Sequence, residues 1–331
     1  MKVAVVILNW NGKKLLKEYL PDVVQYSPES DVYIVDNAST DDSIDYINEN
    51  FPSVKCIKLD DNYGYAGGYN RAVQQIDCPI QILMNSDVRP AENWLQPIIN
   101  TFENNEEVAA LQPKILSEEN KAYFEYAGAC GGYIDQLGYP FCRGRIFEHI
   151  EKDEGQYDDQ KQIFWASGAC LAIKKKVFKE AGGFDELYFA HQEEIDLCWR
   201  INNLGYKIMV QPDSKVYHLG GGTLNEQHPK KTFYNFRNSL FNLLKNAPEN
   251  RYKKLIFQRM LLDNLSFLYF IILLKWKHAV MILKAHKEYY KHKKHISSKR
   301  NSSKQIQIYY YSKNLVLKYF LFKTKHFNKI N

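Results

Sequence analysis

The chain has little that would mark a metal-cluster protein, a disulfide scaffold or a membrane-spanning protein. Its 331 residues include six cysteines, Cys56, Cys78, Cys130, Cys142, Cys170 and Cys198. None forms a CxxC pair, which argues against a thiolate zinc site and gives a disulfide framework no support. Reduced, mostly buried thiols are the expectation. No stretch reaches the ~18 consecutive apolar residues of a spanning helix. The longest, "LSFLYFIILL" at residues 265–274, stops at Lys275. Met1-Lys2 runs straight into "VAVVILNW", too short for a secretory apolar region, so no leader and a cytoplasmic location are expected. Three familiar motifs are also missing. The turn after the first apolar run reads "NWNGKK", so the GxGxxG dinucleotide fingerprint is absent. There is no GxxxxGK[ST] phosphate loop and no GxSxG elbow either.

Charge is present but unevenly placed. The formal net charge is +6. From residue 230 onward there are 23 Lys and Arg against 3 Asp and Glu, a net of +20. Residues 1–229 carry 21 against 35, a net of −14. An acidic body argues against a nucleic-acid channel there, whereas a basic tail suits an anionic surface.

At this length the chain can form one large domain or two smaller ones. Residues 1–115 alternate strand and helix patterns. "VAVVILNW" is a continuous β-rich run, as in a strand covered on both faces. "NGKKLLKEYLPDVV" has Leu15, Leu16, Tyr19 and Leu20 at helical spacing, with Asn11 as a plausible cap. "DVYIVD", "VKCIKL" and "PIQILM" supply three more strands. "STDDSIDYINEN", capped by Ser39 or Thr40, "GGYNRAVQQI" and "AENWLQPIINTFEN" supply helices. Such alternation implies a parallel, doubly wound sheet, with ligands at the carboxyl ends of its strands. Residues 116–165 read as a loop-rich insertion. "FWASGACLAIKKKVFKEAGGFD" reads as a strand or strand pair and a helix ended by Gly182-Gly183. "EEIDLCWRINNLGY" is a helix, "KIMVQPDSKVYH" two short strands, and the rest mainly helical.

Several residues sit where chemistry is done. Asp36 ends a strand and can accept hydrogen bonds from a nucleobase or ribose, or simply form an Asx turn. Gly64, Gly67 and Gly68 in "NYGYAGGYNRA" can let backbone approach a phosphate at a helix start, or be an ordinary loop. Asp87, the one acid of "LMNSDVRP", can offer a hard oxygen to Mg²⁺ or Mn²⁺, or make a strand-end turn. Glu193, Glu194 and Asp196 open a helix, where acids also serve the helix dipole; adjacent acids diverge, so one of them faces a site. Crowded carboxylates raise one another's pKa, which suits a proton-accepting base. His218, before three glycines, can contact a metal or a diphosphate oxygen, or be structural.

Taken in order, "VVILNWNG", "IVDNASTDDS", "NYGYAGGYNRA", "LMNSDV", "SGACLAIKKKVFKEAGGFDE", "EEIDLCWR" and "VYHLGGGT" resemble the family 2 glycosyltransferases of the GT-A fold over residues 3–225. The nearest subgroup is the rhamnosyltransferase-like enzymes of bacterial surface polysaccharide synthesis, which "TFYNFRNSLFNLLKN" also resembles. The resemblance implies a GT-A type, Rossmann-like mixed sheet flanked by helices. It divides the chain into a nucleotide-binding half at about 1–115, an acceptor and catalytic half at 116–229, and a helical basic extension at 230–331. It implies inverting transfer of a hexosyl group, such as rhamnosyl, from a nucleotide-sugar donor to a saccharide or lipid-linked saccharide. By position, Asp36 matches the acid that contacts the base, and Asn9, Asn62, Gly67, Gly68, Asn70, Asn85 and Ser86 fall on the donor side. Asp87 matches the last acid of the DxD metal motif, with Asn85 where the first acid usually stands, and His218 lies near metal and diphosphate. Mn²⁺ or Mg²⁺ is the implied cofactor. Glu194 matches the general base, a Glu where the family uses Asp, so Glu193 and Asp196 remain alternatives. Trp165, Ser167 and Gly168 are assigned to the acceptor side, with Trp165 equally readable as core. A nucleotidyltransferase and a non-catalytic nucleotide-sugar-binding subunit are the rival readings.

The basic extension joins an apolar segment to a cationic one. Between Lys284 and Arg300 there are seven Lys and Arg and one acid, Glu288. This suits a helix peripheral on an anionic membrane face, or a packed helix pair with a solvated charge run. No nucleic-acid recognition module accompanies the charge.

Overall fold

A computed structural model describes residues 1–220, 228–301 and 305–330. Gly221, Gly222 and Thr223 of the expected glycine loop lie outside the described residues. The chain opens with β1 (Val3–Asn9), α1 (Lys13–Gln25), β2 (Ser30–Asp36), α2 (Ser43–Asn50), β3 (Lys55–Lys58), α3 (Gly64–Gln75) and β4 (Ile80–Met84). β1 pairs in parallel with β2 and β4, and β2 with β3. The two faces of β1 explain its unbroken apolar run. Val3, Val5 and Ile7 enter one core with Leu16 and Leu20, while Ala4 and Val6 enter the other with Ala72 and Val73.

The purely parallel pattern ends there. β5 (Val88–Pro90), α4 (Leu95–Asn104) and β6 (Val108–Ser117) follow. Residues 116–165, expected to be loop, contain a small antiparallel sheet of β7 (Gly132–Ile134), β8 (Pro140–Cys142), β9 (Arg145–Ile146) and β10 (His149–Ile150). Its strands are two or three residues long, too short to leave a periodic signal in sequence. Beyond it come β11 (Lys161–Ile163), β12 (Cys170–Lys174), α5 (Lys175–Glu180), α6 (Glu193–Asn203) and β13 (Lys207–His218). β12 inserts between β4 and β6, antiparallel to both, and makes the main sheet mixed. The order is β11-β13-β6-β12-β4-β1-β2-β3, with β5 on β13.

The two short strands expected at 207–218 are one bulged strand. β13 follows β6 in parallel, but its register shifts between Gln211 and Lys215. Pro212 has no N–H to donate, so the ladder breaks beside it and resumes three residues later. The far end of β13 then pairs with β5, setting His218 opposite Val88.

α7 (Pro229–Asn246), α8 (Tyr252–Ile272), α9 (Trp276–Ser298) and α10 (Leu315–Phe320) complete the chain. They pack onto the body. Tyr309 lies 4.6 Å from the Trp199 ring, and Phe327 stacks on Tyr311 at 5.0 Å beside Tyr133. α8, with 21 residues and a mean hydropathy of 1.4 over an 18-residue window, is long and apolar enough to cross a membrane by length and composition alone.

Candidate active site

The carboxyl ends of β1, β2 and β4 meet in one place. Asn9 and Asp36 are cross-strand partners. The buried Asn9 amide donates to Asp36 Oδ1 at 3.2 Å, Ser39 Oγ at 3.1 Å and Ser43 Oγ at 2.9 Å. Ser39 therefore ties β1 to β2 instead of capping α2, which starts only at Ser43. Asp36 Oδ2 accepts from the Ser39 N–H at 3.3 Å, so the Asx-type turn exists. One carboxylate has room for about four hydrogen bonds, which leaves Asp36 capacity for a ligand. Asn11, expected as a cap, has φ +51° and accepts from the Thr40 and Asp41 N–H groups.

The glycine-rich segment differs from expectation. α3 begins at Gly64, so Gly67 and Gly68 lie inside the helix. A Cβ on Gly68 would sit 2.6 Å from Leu8 Cδ1, and one on Gly67 2.8 Å from Tyr63 Cβ. Gly68 thus lets α3 pack closely on β1, while Gly67 makes room for the Tyr63, Arg71 and Glu186 side chains. Asn62 Oδ1 accepts from Asn37 at 2.9 Å and from the Gly64 N–H at 3.0 Å, fixing the turn into α3. Asn70 spends its amide on the Phe184 backbone, donating to O at 2.9 Å and accepting from N–H at 2.8 Å. That bond anchors the loop before α6 and leaves no free end for a donor.

Past β4 the geometry becomes polar and closed. Asp87 Oδ1 lies 3.2 Å from His218 Nε2, and His218 Nδ1 lies 3.3 Å from Glu125 Oε1. All three are buried. The Asn85 amide stands 3.5 Å from His218 Nε2, and Ser86 is half-buried beside it. The Leu219 N–H donates to Asp87 O at 3.1 Å, locking the end of β13 here. Burial opposes charge on Asp87, but His218 and the Gly220 N–H hold its carboxyl below the ordinary value. Burial likewise works against the His218 cation, yet Glu125 and Asp87 push its pKa up to about 10. Glu125 was not anticipated from sequence. The only signal is a lone acid in the otherwise apolar, glycine-rich "FEYAGACGG".

The acid cluster opens α6. Glu193 is buried, its Oε2 without a hydrogen-bond partner among the described residues, and Glu194 is half-buried. Burial pushes the Glu194 pKa up to about 7. Burial, then the Glu194 charge, also raise the Glu193 pKa well above the ordinary carboxylate value. Asp196 is unlike either. Its fully buried carboxylate meets Arg200 at 2.6 Å, Lys245 at 2.9 Å and Asn246 at 2.8 Å. Those cations hold it well below the ordinary carboxylate range against the penalty of burial. Asp196 is thus an ion-pair hub between α6 and α7, with no capacity to receive a proton.

The two sides are joined by residues 167–169. The Asn85 N–H donates to Ala169 O at 3.0 Å, alongside the Met84–Cys170 pairing of β4 and β12. A Cβ on Gly168 would lie 2.7 Å from Tyr65 Oη and 3.9 Å from Glu194 Cβ, so Gly168 passes directly under the base candidate. Ser167 is buried, its N–H donating to Gln112 at 2.9 Å. Trp165 does not face the site. It is 2% exposed, lies flat on Gly132 and donates to Tyr133 O at 2.9 Å, which makes it core.

The loop before α6 is strained. Phe189, His191 and Gln192 have φ of +64°, +65° and +68°. Each such non-glycine residue costs on the order of 1–3 kcal/mol. α7 holds the loop there. The Asn238 amide donates to Ala190 O at 2.9 Å and His191 O at 2.6 Å, and Arg237 to Tyr188 O at 2.7 Å. Gln192 donates to Ser239 Oγ at 3.0 Å. The start of α6, and so the direction of Glu193 and Glu194, is set from the C-terminal region.

Comparison with known proteins places this architecture. Residues 4–182 match the model of Glycosyl transferase family 2. An N-acetylglucosaminyl-diphospho-decaprenol L-rhamnosyltransferase of Mycobacterium tuberculosis is 24% identical over 202 residues, 56% of this chain and 66% of that protein. The O-antigen biosynthesis protein RfbC of Myxococcus xanthus is 24% identical over 223 residues, 66% of this chain and 17% of that one. The chain thus spans just under two thirds of the first relative and far less of the second. Among solved structures, S. aureus TarS 1-349 in complex with UDP-GlcNAc superposes with a TM-score of 0.58 at 14% identity, covering 91% of this chain and 84% of that one. GalNAc-T7 with UDP, GalNAc and Mn²⁺ gives 0.58 at 16% identity, covering 76% of this chain and 49% of that one. These likenesses bear out the GT-A fold. With more than half its length matched by the family model, the chain belongs to glycosyl transferase family 2.

Proposed function

We propose that the chain moves a hexosyl group, rhamnosyl being the specific suggestion, from a nucleotide sugar to a saccharide or lipid-linked saccharide in bacterial surface polysaccharide synthesis, with inversion. The observation that carries this reading is Glu194, half-buried with its pKa near 7, next to Gly168 and across residues 167–169 from Asn85. A carboxylate tuned to neutral pH can take the acceptor hydroxyl's proton as the new bond forms. A single base on the face opposite the leaving group gives inversion. Asp36, oriented by Asn9, and Asn62 line the side proposed for the nucleotide. Glu193, buried beside it with its own pKa raised, stays the alternative base.

The residues around Asp87 fit a divalent ion. Among the described residues no three of His, Cys, Asp and Glu are arranged to hold one unaided. Asp87 supplies an oxygen donor, His218 would supply a nitrogen only on giving up the proton that Asp87 and Glu125 stabilise, and Mg²⁺ or Mn²⁺ commonly completes its shell with water and substrate phosphates. Such an ion, when bound, would neutralise charge on the departing diphosphate. In support, relatives in this fold were crystallised with UDP, GDP-Man and Mn²⁺. The decisive measurement is a panel of nucleotide sugars with and without Mn²⁺ or Mg²⁺, scored for binding and slow hydrolysis. Metal-enhanced binding of one donor, abolished by Asp87→Ala, is expected. Binding of none of them overturns the reading.

A further inference from the structure

α8 has two faces of different character. Its inner face is fixed to the body through a buried ion network. Arg259 donates to Asp263 at 2.8 Å and to Leu137 O at 3.1 Å, and lies 3.8 Å over the Tyr139 ring. His286 of α9 reaches Asp263 at 3.1 Å. Crossing a membrane would pull this network apart in hydrocarbon, so the apolar content of α8 serves something other than spanning. Its outer face is a stripe of Phe257, Leu261, Leu265, Leu268 and Ile272, each more than half exposed. The spacing of 4, 4, 3 and 4 keeps them on one side of the helix.

The stripe continues around the turn. Leu273, Leu274 and Trp276 are exposed there, and Val280 and Leu283 extend it along the first turns of α9. The turn is held in shape by Phe270 stacked on His278 at 5.2 Å and by Thr232 bonded to His278 at 2.7 Å. Lys275, Lys277, Lys284 and Lys287 are exposed around it. From residue 252 to residue 287 the only acid is the buried Asp263. An ordered apolar ridge this long is unusual on a soluble surface.

We infer that the α8–α9 hairpin docks on an anionic lipid bilayer, its apolar ridge entering the headgroup–acyl boundary and its lysines contacting lipid phosphates. Charge selects this occupant. The region from residue 230 carries +20, so two copies meeting through this face would repel, whereas anionic headgroups attract it. Trp276 at the turn suits the interfacial level, where an aromatic ring meets both hydrocarbon and water. The attachment differs from that of a long cationic helix lying alone on the surface. The cationic run of α9 is secured by its other face through Ile282, Tyr289 and Ile296, and the insertion element is the hairpin's apolar end.

The test is flotation of the full chain with phosphatidylcholine vesicles and with vesicles containing about 30% phosphatidylglycerol. The wild type is expected to float with the anionic vesicles and at least tenfold less with the neutral ones. Leu265→Glu combined with Ile272→Glu should lose that flotation by at least tenfold. Both positions are exposed, and the melting temperature should be unchanged. Lys275→Glu with Lys277→Glu should shift the remaining binding to lower salt. Undiminished flotation of the Leu265/Ile272 variant overturns the proposal. So does a dimer of the wild type in vesicle-free buffer that this variant converts to monomer, which would show the ridge covered by a second copy. Nucleotide-sugar binding without vesicles should be equal in all variants, so failure here leaves the transferase reading intact.

Discussion

Asp87 and Glu194 are carboxylates at the same end of one sheet, and their surroundings drive them apart. Asp87 faces the His218 imidazole, itself flanked by Glu125, and is held ionised. Among the described residues Glu194 has no cationic partner, and it is poised near pH 7. Asp196, two residues further on, repeats the Asp87 pattern with Arg200 and Lys245, but inside the protein. Type of residue and position on the helix therefore do not assign a role. What differs is whether a cation and donors meet the carboxylate, which decides between a fixed charge and a proton acceptor.

Removing the acceptor is the strongest way to break that contrast. Glu194→Gln should lower the transfer rate by roughly 10²–10⁴-fold while donor binding survives. Isothermal titration with the donor, beside an initial-rate assay, separates the two. Full activity in this variant would move the base to Glu193. Asp196→Ala tests the opposite pole. It leaves Lys245 and Arg200 partly unpaired in the interior, and breaking such a buried pair costs about 3–5 kcal/mol. Urea unfolding should show that loss. A variant as stable as the wild type would mean that Asp185, which also meets Lys245 at 2.8 Å, carries the cluster alone.

Asn238→Ala probes the support of the acceptor side from a distance. Its amide serves three carbonyls of the strained loop, at Tyr188, Ala190 and His191. The expected stability loss is about 1–3 kcal/mol, the penalty for leaving buried carbonyls unsatisfied. Turnover should fall about tenfold with donor affinity unchanged, a barrier rise of about 1.4 kcal/mol. Unchanged turnover would show that the loop holds its geometry without α7.

These supports show what the sequence could and could not reveal. The four opening strands were legible, because β1 to β4 are apolar runs with helices between them. Asp36, Asp87, Glu194 and His218 were legible as an ordered set of motifs; the structure sets Asp36 at the end of β2, Asp87 between β4 and β5 against His218 at the end of β13, and Glu194 at the start of α6. The packing of Gly67 and Gly68 inside α3 was not legible, because a glycine needed for close side-chain contact looks the same in sequence as one needed beside a phosphate. Trp165, readable as acceptor side or as core, is core, and Asn70 is tied to the Phe184 backbone; their partners Tyr133 and Phe184 are 32 and 114 residues away, beyond the reach of a local pattern. Glu125 and Asn238 went unseen because a positioning residue has no motif of its own. It is identified by the atoms it reaches, and those come together only in the fold.

The smallest effect is also the most direct measure of the contrast. If Glu194 must be ionised to accept a proton, the rate should be level above pH 7 and fall about tenfold per unit well below it. The direction follows from the group: an acid that works as a base loses activity as it is protonated. Glu193→Gln should leave this limb nearly in place, because burial raises the Glu194 pKa. A limb that moved down by a full unit in that variant would mean that the Glu193 charge sets the base. The two carboxylates would then have to be treated as a pair sharing one proton, and the assignment of a single base would be lost.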